Sequence, residues 1–213
     1  MNVQQAETQT LRVKDKKIRG FAFNIYQTGA TNNTAITKTD LDLDAIHIDI
    51  RKTRPNGTVV GIYNGALKQL AMATNYYKAG YAYCIGSESE ILLATGASND
   101  EISVVPIYVD FETIIDTTDG SEVSCKVKST AAAYGTTISG SESFIDVNFV
   151  EGIGQEQYIP SYELDAMIGS KGEHKQAYGS NITDIYFLNS DKSGVLDADN
   201  VLDQVDLTST EIN

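Results

Sequence analysis

The sequence predicts an all-β protein that consists of two tandem β-sandwiches with short inserted helices. Three observations favour this fold class. Apolar and polar residues alternate in several short stretches, turn-forming residues separate these stretches, and two regions repeat the same order of elements. The chain has 213 residues, which is long enough for two domains of about 100 residues each.

Two stretches carry the repeat, residues 41–80 and residues 140–179. At an offset of 99 residues, the apolar positions of one alternating strand coincide: Ile46, Ile48 and Ile50 with Ile145, Val147 and Phe149. A second strand matches at an offset of 102: Phe21, Phe23 and Ile25 with Val123, Cys125 and Val127. Each copy continues with a glycine turn, a short strand and a short helix. We therefore expect a flexible arm over residues 1–10, then two domains, residues 11–112 and residues 113–213.

Strands are predicted where alternation or a short apolar run lies between turn signals. In the first half these are Arg19–Tyr26, Ala45–Arg51, Val59–Tyr63, Gly80–Ile85, Glu90–Ala94 and Ile102–Phe111. Around Ile48 the neighbouring residues His47, Asp49 and Arg51 should point away from the core, which is typical of a half-buried antiparallel sheet.

Two short helices are predicted, one over Gly65–Thr74 with Asn64 as its N-cap and one over Tyr162–Ile168 with Ser161 as its N-cap. Both are too short to be stable alone, so we expect them to form corners on a β framework. Many short antiparallel strands with a small helix between them are typical of a jelly-roll sandwich. The sequence therefore predicts a double jelly roll.

The net charge of −13 argues against a nucleic-acid-binding surface over the whole protein, because such surfaces need clustered lysine and arginine. One basic stretch near the N-terminus is an exception and comprises Arg12, Lys14, Lys16, Lys17 and Arg19. It is either a solvated strand edge or a surface that faces anionic lipid head groups or nucleic acid.

Two cysteines, Cys84 and Cys125, lie in apolar strand contexts. We expect buried thiols in a reducing compartment, with a disulfide between the two domains as the alternative. The polar N-terminus predicts no secretory signal, and no apolar run approaches the roughly 20 residues of a membrane-spanning helix.

Residue patterns that carry catalysis are not found, and we expect no enzyme. The histidines His47 and His174 are far apart, and no nucleophile elbow, zinc-protease, phosphate-binding or dinucleotide-binding motif occurs. The acidic pairs Asp42/Asp44 and Glu88/Glu90 have strand spacing but are expected to be exposed acids. The lack of tryptophan counts against a carbohydrate-binding module.

A segment near the C-terminus, Asn189–Asn200, has the oxygen-ligand spacing of a calcium loop. The candidate ligands are Asn189, Asp191, Ser193, Asp197 and Asp199, with a glycine at the sixth position. The twelfth position is Asn200 rather than a bidentate glutamate, so a plain β-turn is the preferred interpretation and calcium binding is the alternative. No other cofactor is predicted.

The repeated order of alternating strand, glycine turn, short strand and short helix resembles that of the double jelly-roll major capsid proteins of tailless, membrane-containing icosahedral bacteriophages. In the first copy these pieces are Ile46–Ile50, Asn56–Gly57, Val59–Tyr63 and Asn64–Thr74; in the second they are Ile145–Phe149, Gly152–Gly154, Tyr158–Ile159 and Ser161–Ile168. The resemblance covers most of the chain.

The resemblance implies a structural virion protein made in the host cytoplasm. Homotrimers with a pseudo-hexagonal outline would tile an icosahedral capsid, next to penton and minor capsid proteins, over an internal lipid membrane. The basic stretch Arg12–Arg19 would then lie near the lipid head groups or the inner face of the shell. Sequence-specific binding to nucleic acid is not expected.

Two other functions stay open from the sequence. The first is a tandem β-sandwich binding module, such as a viral spike, an adhesin or a carbohydrate-binding protein. The second is an enzyme on a jelly-roll scaffold, such as a cupin, which two widely separated histidines disfavour.

Overall fold

The computed structural model describes residues 1–4, 6–30, 41–75 and 102–163. Strands in these ranges are β1 (Asn2–Gln4), β2 (Thr8–Lys14), β3 (Lys17–Thr28), β4 (Ile46–Thr53), β5 (Val59–Ala66), β6 (Ile102–Asp116), β7 (Glu122–Ser129) and β8 (Phe144–Glu151). Helix α1 (Leu67–Asn75) follows β5, and short 3-10 turns lie at Leu43–Ala45 and Ala131–Ala133. The predicted strands Gly80–Ile85 and Glu90–Ala94, and the predicted helix beyond Glu163, lie outside the described residues.

These strands form two antiparallel sheets of four strands each. Sheet A has the order β1-β8-β3-β6, and sheet B has the order β2-β7-β4-β5. The all-β fold class predicted from the sequence is therefore confirmed. Helix α1 begins two residues later than predicted and contributes the buried side chains of Leu67 and Leu70 to the core.

The hydrophobic core lies between the inner faces of the two sheets. Sheet A contributes alternate residues of its central strand, including Phe21, Phe23 and Ile25, and sheet B contributes Ile48 and Ile50, all fully buried. His47 and Arg51 lie on the outer face, as the alternation predicts. Both sheets are therefore half-buried, and their polar sides face away from the core.

The sequence repeat relates strands within this one sandwich. Four can be added to each strand number of sheet A, with eight subtracted from any result above eight. The order β1-β8-β3-β6 then becomes β5-β4-β7-β2, which is the order of sheet B read from its other edge. The matched segments obey the same rule, because one pair is β3 with β7 and the other is β4 with β8. The repeat thus exchanges the two sheets and keeps every neighbour relation between strands.

The two domains predicted from the repeat are interleaved in the structure. Strand β6 crosses the predicted boundary between residues 112 and 113, while β7 and β8 pair with β2, β4 and β3. The chain divides instead into one compact unit over Met1–Leu164 and another over Asp165–Asn213. Alternation reports a strand but not its partner, which is why the sequence alone placed the boundary inside β6.

The N-terminal residues form strands instead of the predicted flexible arm. Val3 of β1 is fully buried, and β1 pairs with β8 along the edge of sheet A. The N-terminal ammonium group donates hydrogen bonds to Asp146 Oδ1 at 3.3 Å and to the carbonyl oxygen of Val147 at 3.2 Å. A buried apolar side chain and these polar contacts hold the chain end in place.

A strap, residues 152–163, runs from the end of β8 in sheet A to β5 in sheet B. The carboxylate of Glu156 accepts hydrogen bonds from Lys52 Nζ at 2.7 Å and from the backbone N–H of Asp116 at 2.8 Å. Farther along, the N–H of Tyr162 donates to the carbonyl oxygen of Ile62 at 2.8 Å. The strap therefore connects both sheets at the end of the sandwich where β4 ends.

Removing the strap carboxylate should destabilise the fold because the ammonium group of Lys52, whose side chain is only 3% exposed, would lose its counter-ion. We expect Glu156→Ala to cost about 3 kcal/mol of unfolding free energy, the lower end for a broken buried pair. Urea unfolding measures this loss. The control is Lys16→Ala, which breaks the exposed Lys16–Glu151 pair and should cost below about 1 kcal/mol. Equal losses in the two variants would contradict the prediction.

The β6–β7 turn should make the fold sensitive to acid. Hydrogen bonds from Thr118 lower the pKa of Asp116, and hydrogen bonds from Ser121 lower the pKa of Asp119. As the pH falls, the carboxyl groups of the unfolded chain take up protons before those of the folded protein do. The stabilisation from these hydrogen bonds is therefore present above the ordinary carboxyl pKa of about 4, and it is lost as the pH falls through the lower pKa values of the folded protein. Urea unfolding at about pH 5 and about pH 2 should show a smaller loss of stability for Asp116→Asn than for the unchanged protein. An equal loss would contradict this assignment.

Candidate functional site

The five residues of the predicted basic stretch lie on different parts of the sandwich. Arg12 and Lys14 lie on the outer side of β2 in sheet B, whereas Lys16 lies in the turn between β2 and β3. Lys17 and Arg19 begin β3 in sheet A. The structure therefore does not gather the stretch into one patch.

Each of these five side chains forms an ion pair with an acidic residue from another strand. The pairs are Arg12–Glu122, Lys14–Glu122 at 3.2 Å, Lys16–Glu151 at 2.6 Å, Lys17–Asp116 at 3.8 Å and Arg19–Asp110 at 3.1 Å. Five cations thus share four carboxylates. The stretch by itself carries an excess of about one positive charge, so its predicted contact with lipid or with the inner face of a shell stays a prediction.

The Arg19–Asp110 pair has a structural role at a bulge between β3 and β6. The carboxylate of Asp110, which is almost fully buried, accepts hydrogen bonds from Arg19 Nε and Nη2 and from the backbone N–H of Glu112 at 2.9 Å. Glu112 has a φ of 59°, a left-handed conformation that non-glycine residues seldom adopt. The buried carboxylate stabilises this conformation, and its hydrogen bond to Arg19 raises the pKa of the guanidinium group.

The outer face of sheet B brings a second group of cations together. We call this surface the sheet B face. Strand register places five basic and two acidic side chains on it: Arg12, Lys14, Arg51, Lys126 and Lys128, with Asp49 and Glu122. The face therefore has an excess of three positive charges, although the whole chain has a net charge of −13.

Hydrogen bonds order part of the sheet B face. Arg51 Nε donates to Asp49 Oδ1 at 2.7 Å, which raises the pKa of Arg51. Partial burial would raise the pKa of Glu122, but hydrogen bonds from Arg12 and Lys14 outweigh this effect and lower it. Glu122 therefore stays ionised at neutral pH, and the formal charges of the seven side chains leave the face with an excess of three positive charges.

Sequence reasoning missed the three other cations of this face. Lys126 and Lys128 alternate with buried residues of β7, and Arg51 alternates with buried isoleucines of β4, so each strand alone showed that these side chains point outward. The pairing of β2 with β7 and of β7 with β4 was needed to bring them beside Arg12 and Lys14.

The outer face of sheet A has few charges and several apolar groups. We call it the sheet A face. Its central feature is the stack of Tyr26 on Phe144, with ring centroids 4.6 Å apart and an interplanar angle of 17°. Val104 and Pro106 extend the face onto β6, and both are exposed. Where β3 runs from Ala22 to Tyr26 beside β8 and β6, the charged side chain of this face is Asp146, and the N-terminal ammonium forms an ion pair with it. Lys17 and Arg19 lie at the other end of β3, and Glu151 ends β8.

A shallow notch of about 300 Å³ lies at the β5 edge of sheet B. A bulge between β4 and β5 leaves Ile62 without a partner on β4, and Ile62 instead accepts its hydrogen bond from Tyr162 of the strap. The notch is lined by Asp49, Arg51, Val59, Gly61, Ile62, Tyr63, Asn64, Ser161 and Tyr162. Its polar groups suit a small polar ligand, and among the described residues that line it no nucleophile is paired with a base.

The remaining candidates from the sequence have structural partners where they are described. Asp42 accepts a hydrogen bond from the N–H of Asp44, whose carboxylate binds Lys68 at 3.3 Å and Gln69 at 2.8 Å. His47 Nε2 lies 2.7 Å from Asn64 Oδ1.

Cys125 is a buried free thiol, as predicted, and burial raises its pKa. Cys84, His174, the pair Glu88/Glu90 and the candidate calcium ligands at residues 189–199 lie outside the described residues.

Within the described ranges, no three His, Cys, Asp or Glu side chains are grouped so that they could hold a metal ion. In the same part of the chain, no helix has the length and apolar character needed to cross a membrane. Comparison with known protein families and with curated proteins gives no match. The interpretation of function therefore depends on the geometry of the two sheet faces and the notch.

Proposed function

We propose that this chain is a structural virion protein, a major capsid protein whose sandwich tiles an icosahedral shell over an internal lipid membrane. The observation that carries the proposal is the strand order, β1-β8-β3-β6 against β2-β7-β4-β5. Eight antiparallel strands in two sheets that interchange through Greek-key connections make a jelly roll, an architecture that viral capsid proteins share with lectins and cupins. Because a fold alone does not define a function, the surfaces must also support the proposal.

The sheet A face supports contact between copies of the chain. Interfaces between proteins are depleted of charged side chains at their centre and enriched in tyrosine and phenylalanine. The stacked rings of Tyr26 and Phe144, with Val104 and Pro106 beside them, have this composition on a chain that is otherwise acidic. Few charges on this face mean little repulsion when two copies approach through it.

The observed fold changes the number of chains that we expect in one hexagonal tile. A pseudo-hexagonal homotrimer, as the resemblance implies, needs two sandwiches per chain. The matched strands of both copies of the repeat lie in the one sandwich of the compact unit Met1–Leu164, so the repeat does not supply a second sandwich. We therefore propose a hexagonal tile of six chains with one jelly roll each, and the mass of the isolated tile distinguishes it from a trimer.

The alternative is a binding module, and the notch at the β5 edge is the observation that favours it. The notch combines an ion pair, Asp49 with Arg51, and the ring of Tyr162 in a volume of about 300 Å³. A binding module would stay a monomer or a single small oligomer at all concentrations. A capsid protein should form oligomers that grow into sheets or shells.

Light scattering after size exclusion, with electron microscopy of the large fractions, should show such growth for the unchanged protein. We expect Val104→Glu to prevent it, because a buried unpaired carboxylate is costly at an interface. The matched control is Val59→Glu, which places the same change on an exposed valine of sheet B and should leave association intact. A monomer at every concentration, or the same response in both variants, would contradict the proposal.

A further inference from the structure

We propose that the sheet B face is the surface with which this protein binds a bilayer that contains anionic phospholipids. The inference rests on the proposed function, since it assigns the membrane contact of a shell protein to particular residues. With the sheet B face on the bilayer, neighbouring copies meet at the edges of the sandwich, where edge strand β6 carries Val104 and Pro106 of the sheet A face. It moves that contact from the N-terminal stretch to the outer side of β2, β7 and β4. Of the stretch, Arg12 and Lys14 remain in the site.

Charge separation is the first argument. The face has five basic and two acidic side chains and therefore a charge of +3. Since the whole chain has a net charge of −13, the rest of the chain carries −16. A protein that is acidic overall is repelled by an anionic surface unless its cations are grouped on one side. Here they are grouped on one sheet, and each lysine or arginine near an anionic leaflet strengthens binding about fivefold.

Accessibility is the second argument. The side chains of Arg12 and Lys14 are 66% and 63% exposed even though both pair with Glu122. Lys126 and Lys128 are exposed as well, and neither forms an ion pair within the described ranges. Phosphate groups at a membrane surface can therefore reach all four cations without displacing the protein's own core contacts.

Shape favours a planar partner over nucleic acid. From the Lys128 row to the Lys14 row the face extends about 20 Å along the strands, and its four strands span about 14 Å. A bilayer can contact all these cations at once, whereas a duplex is a cylinder that touches a narrow strip. The outward residues described on this face include no phenylalanine or tyrosine on which unpaired bases could stack.

Distance limits repulsion from the acidic remainder. The two sheets of a sandwich lie about 10 Å apart, and the Debye length at physiological ionic strength is about 8 Å. When the sheet B face contacts the bilayer, charges on and beyond sheet A lie more than one Debye length away and are largely screened. The orientation with this face toward the lipid is therefore the favourable one.

The test measures co-sedimentation of the full chain with vesicles of equal parts phosphatidylserine and phosphatidylcholine. The double variant Lys126→Gln/Lys128→Gln should bind about 25-fold more weakly, a factor of about five for each lysine. The control Lys16→Gln/Lys17→Gln makes the same change in net charge at the turn between β2 and β3, and it should bind within about twofold of the unchanged protein. Salt at about 1 M, where the Debye length is about 3 Å, should release the protein.

Several results would overturn the inference. The first two are an equal loss of vesicle binding in the two double variants and a larger loss in the control variant. The others are binding to pure phosphatidylcholine vesicles as strong as binding to the mixed vesicles, and tighter binding to duplex DNA than to the mixed vesicles. A change in self-association instead of vesicle binding would show that the face contacts another copy of the chain. Thermal unfolding verifies that each variant is folded. If the double variant Lys126→Gln/Lys128→Gln does not fold, the single variant Lys128→Gln replaces it, and its vesicle binding should be about fivefold weaker.

The same samples separate this inference from the proposed function. Light scattering without vesicles reports assembly, and co-sedimentation reports lipid binding. Assembly without lipid binding would overturn the inference and leave the shell protein in place. Lipid binding without assembly would overturn the shell protein and leave the sheet B face as a membrane-binding surface.

Discussion

The shared core between the two sheets is the constraint on which the rest of this structure depends. Every strand must present one row of apolar side chains to the opposite sheet, so functional groups are restricted to the outer faces, the edges and the ends. Fully buried residues of β3, β4, β7 and β8 fill this core, and apart from the β4–β5 hairpin the partners of each strand come from distant parts of the chain. Because β2 pairs with β7 and β3 pairs with β8, neither predicted half could bury its apolar rows without the other.

This constraint leaves two outer faces of opposite character. Around Tyr26 and Phe144 the sheet A face presents stacked aromatic rings and exposed apolar groups with Asp146 as its charged side chain, which suits contact with another protein surface. The sheet B face presents an excess of cations, which suits an anionic surface. The two outer faces point in opposite directions, so a copy that lies on a bilayer through the sheet B face can contact its neighbours only at the edges of the sandwich, and edge strand β6 carries the exposed Val104.

The end of the sandwich that the strap covers shows how local departures from regular strand pairing are stabilised. The bulge in β6 depends on the buried carboxylate of Asp110, and the strap depends on the pair between Lys52 and Glu156. The bulge in β5 frees the carbonyl oxygen of Ile62, which then accepts a hydrogen bond from Tyr162. Each irregularity therefore has a polar partner that compensates for the lost ladder contact.

The sequence by itself determined the strands, because alternation is a local property: Ile48 is buried, and Arg51 is outside, for reasons visible within a few residues. The repeat was also visible in the amino-acid sequence. Tertiary structure decided what the repeat means, since the pairing of β3 with β8 and of β7 with β4 places both copies in one sandwich. The candidate site divides in the same way. Arg12 and Lys14 were visible as a charge run, whereas Lys126 and Lys128 joined them only when β7 paired with β2, because cross-strand register is a long-range property that no local pattern encodes.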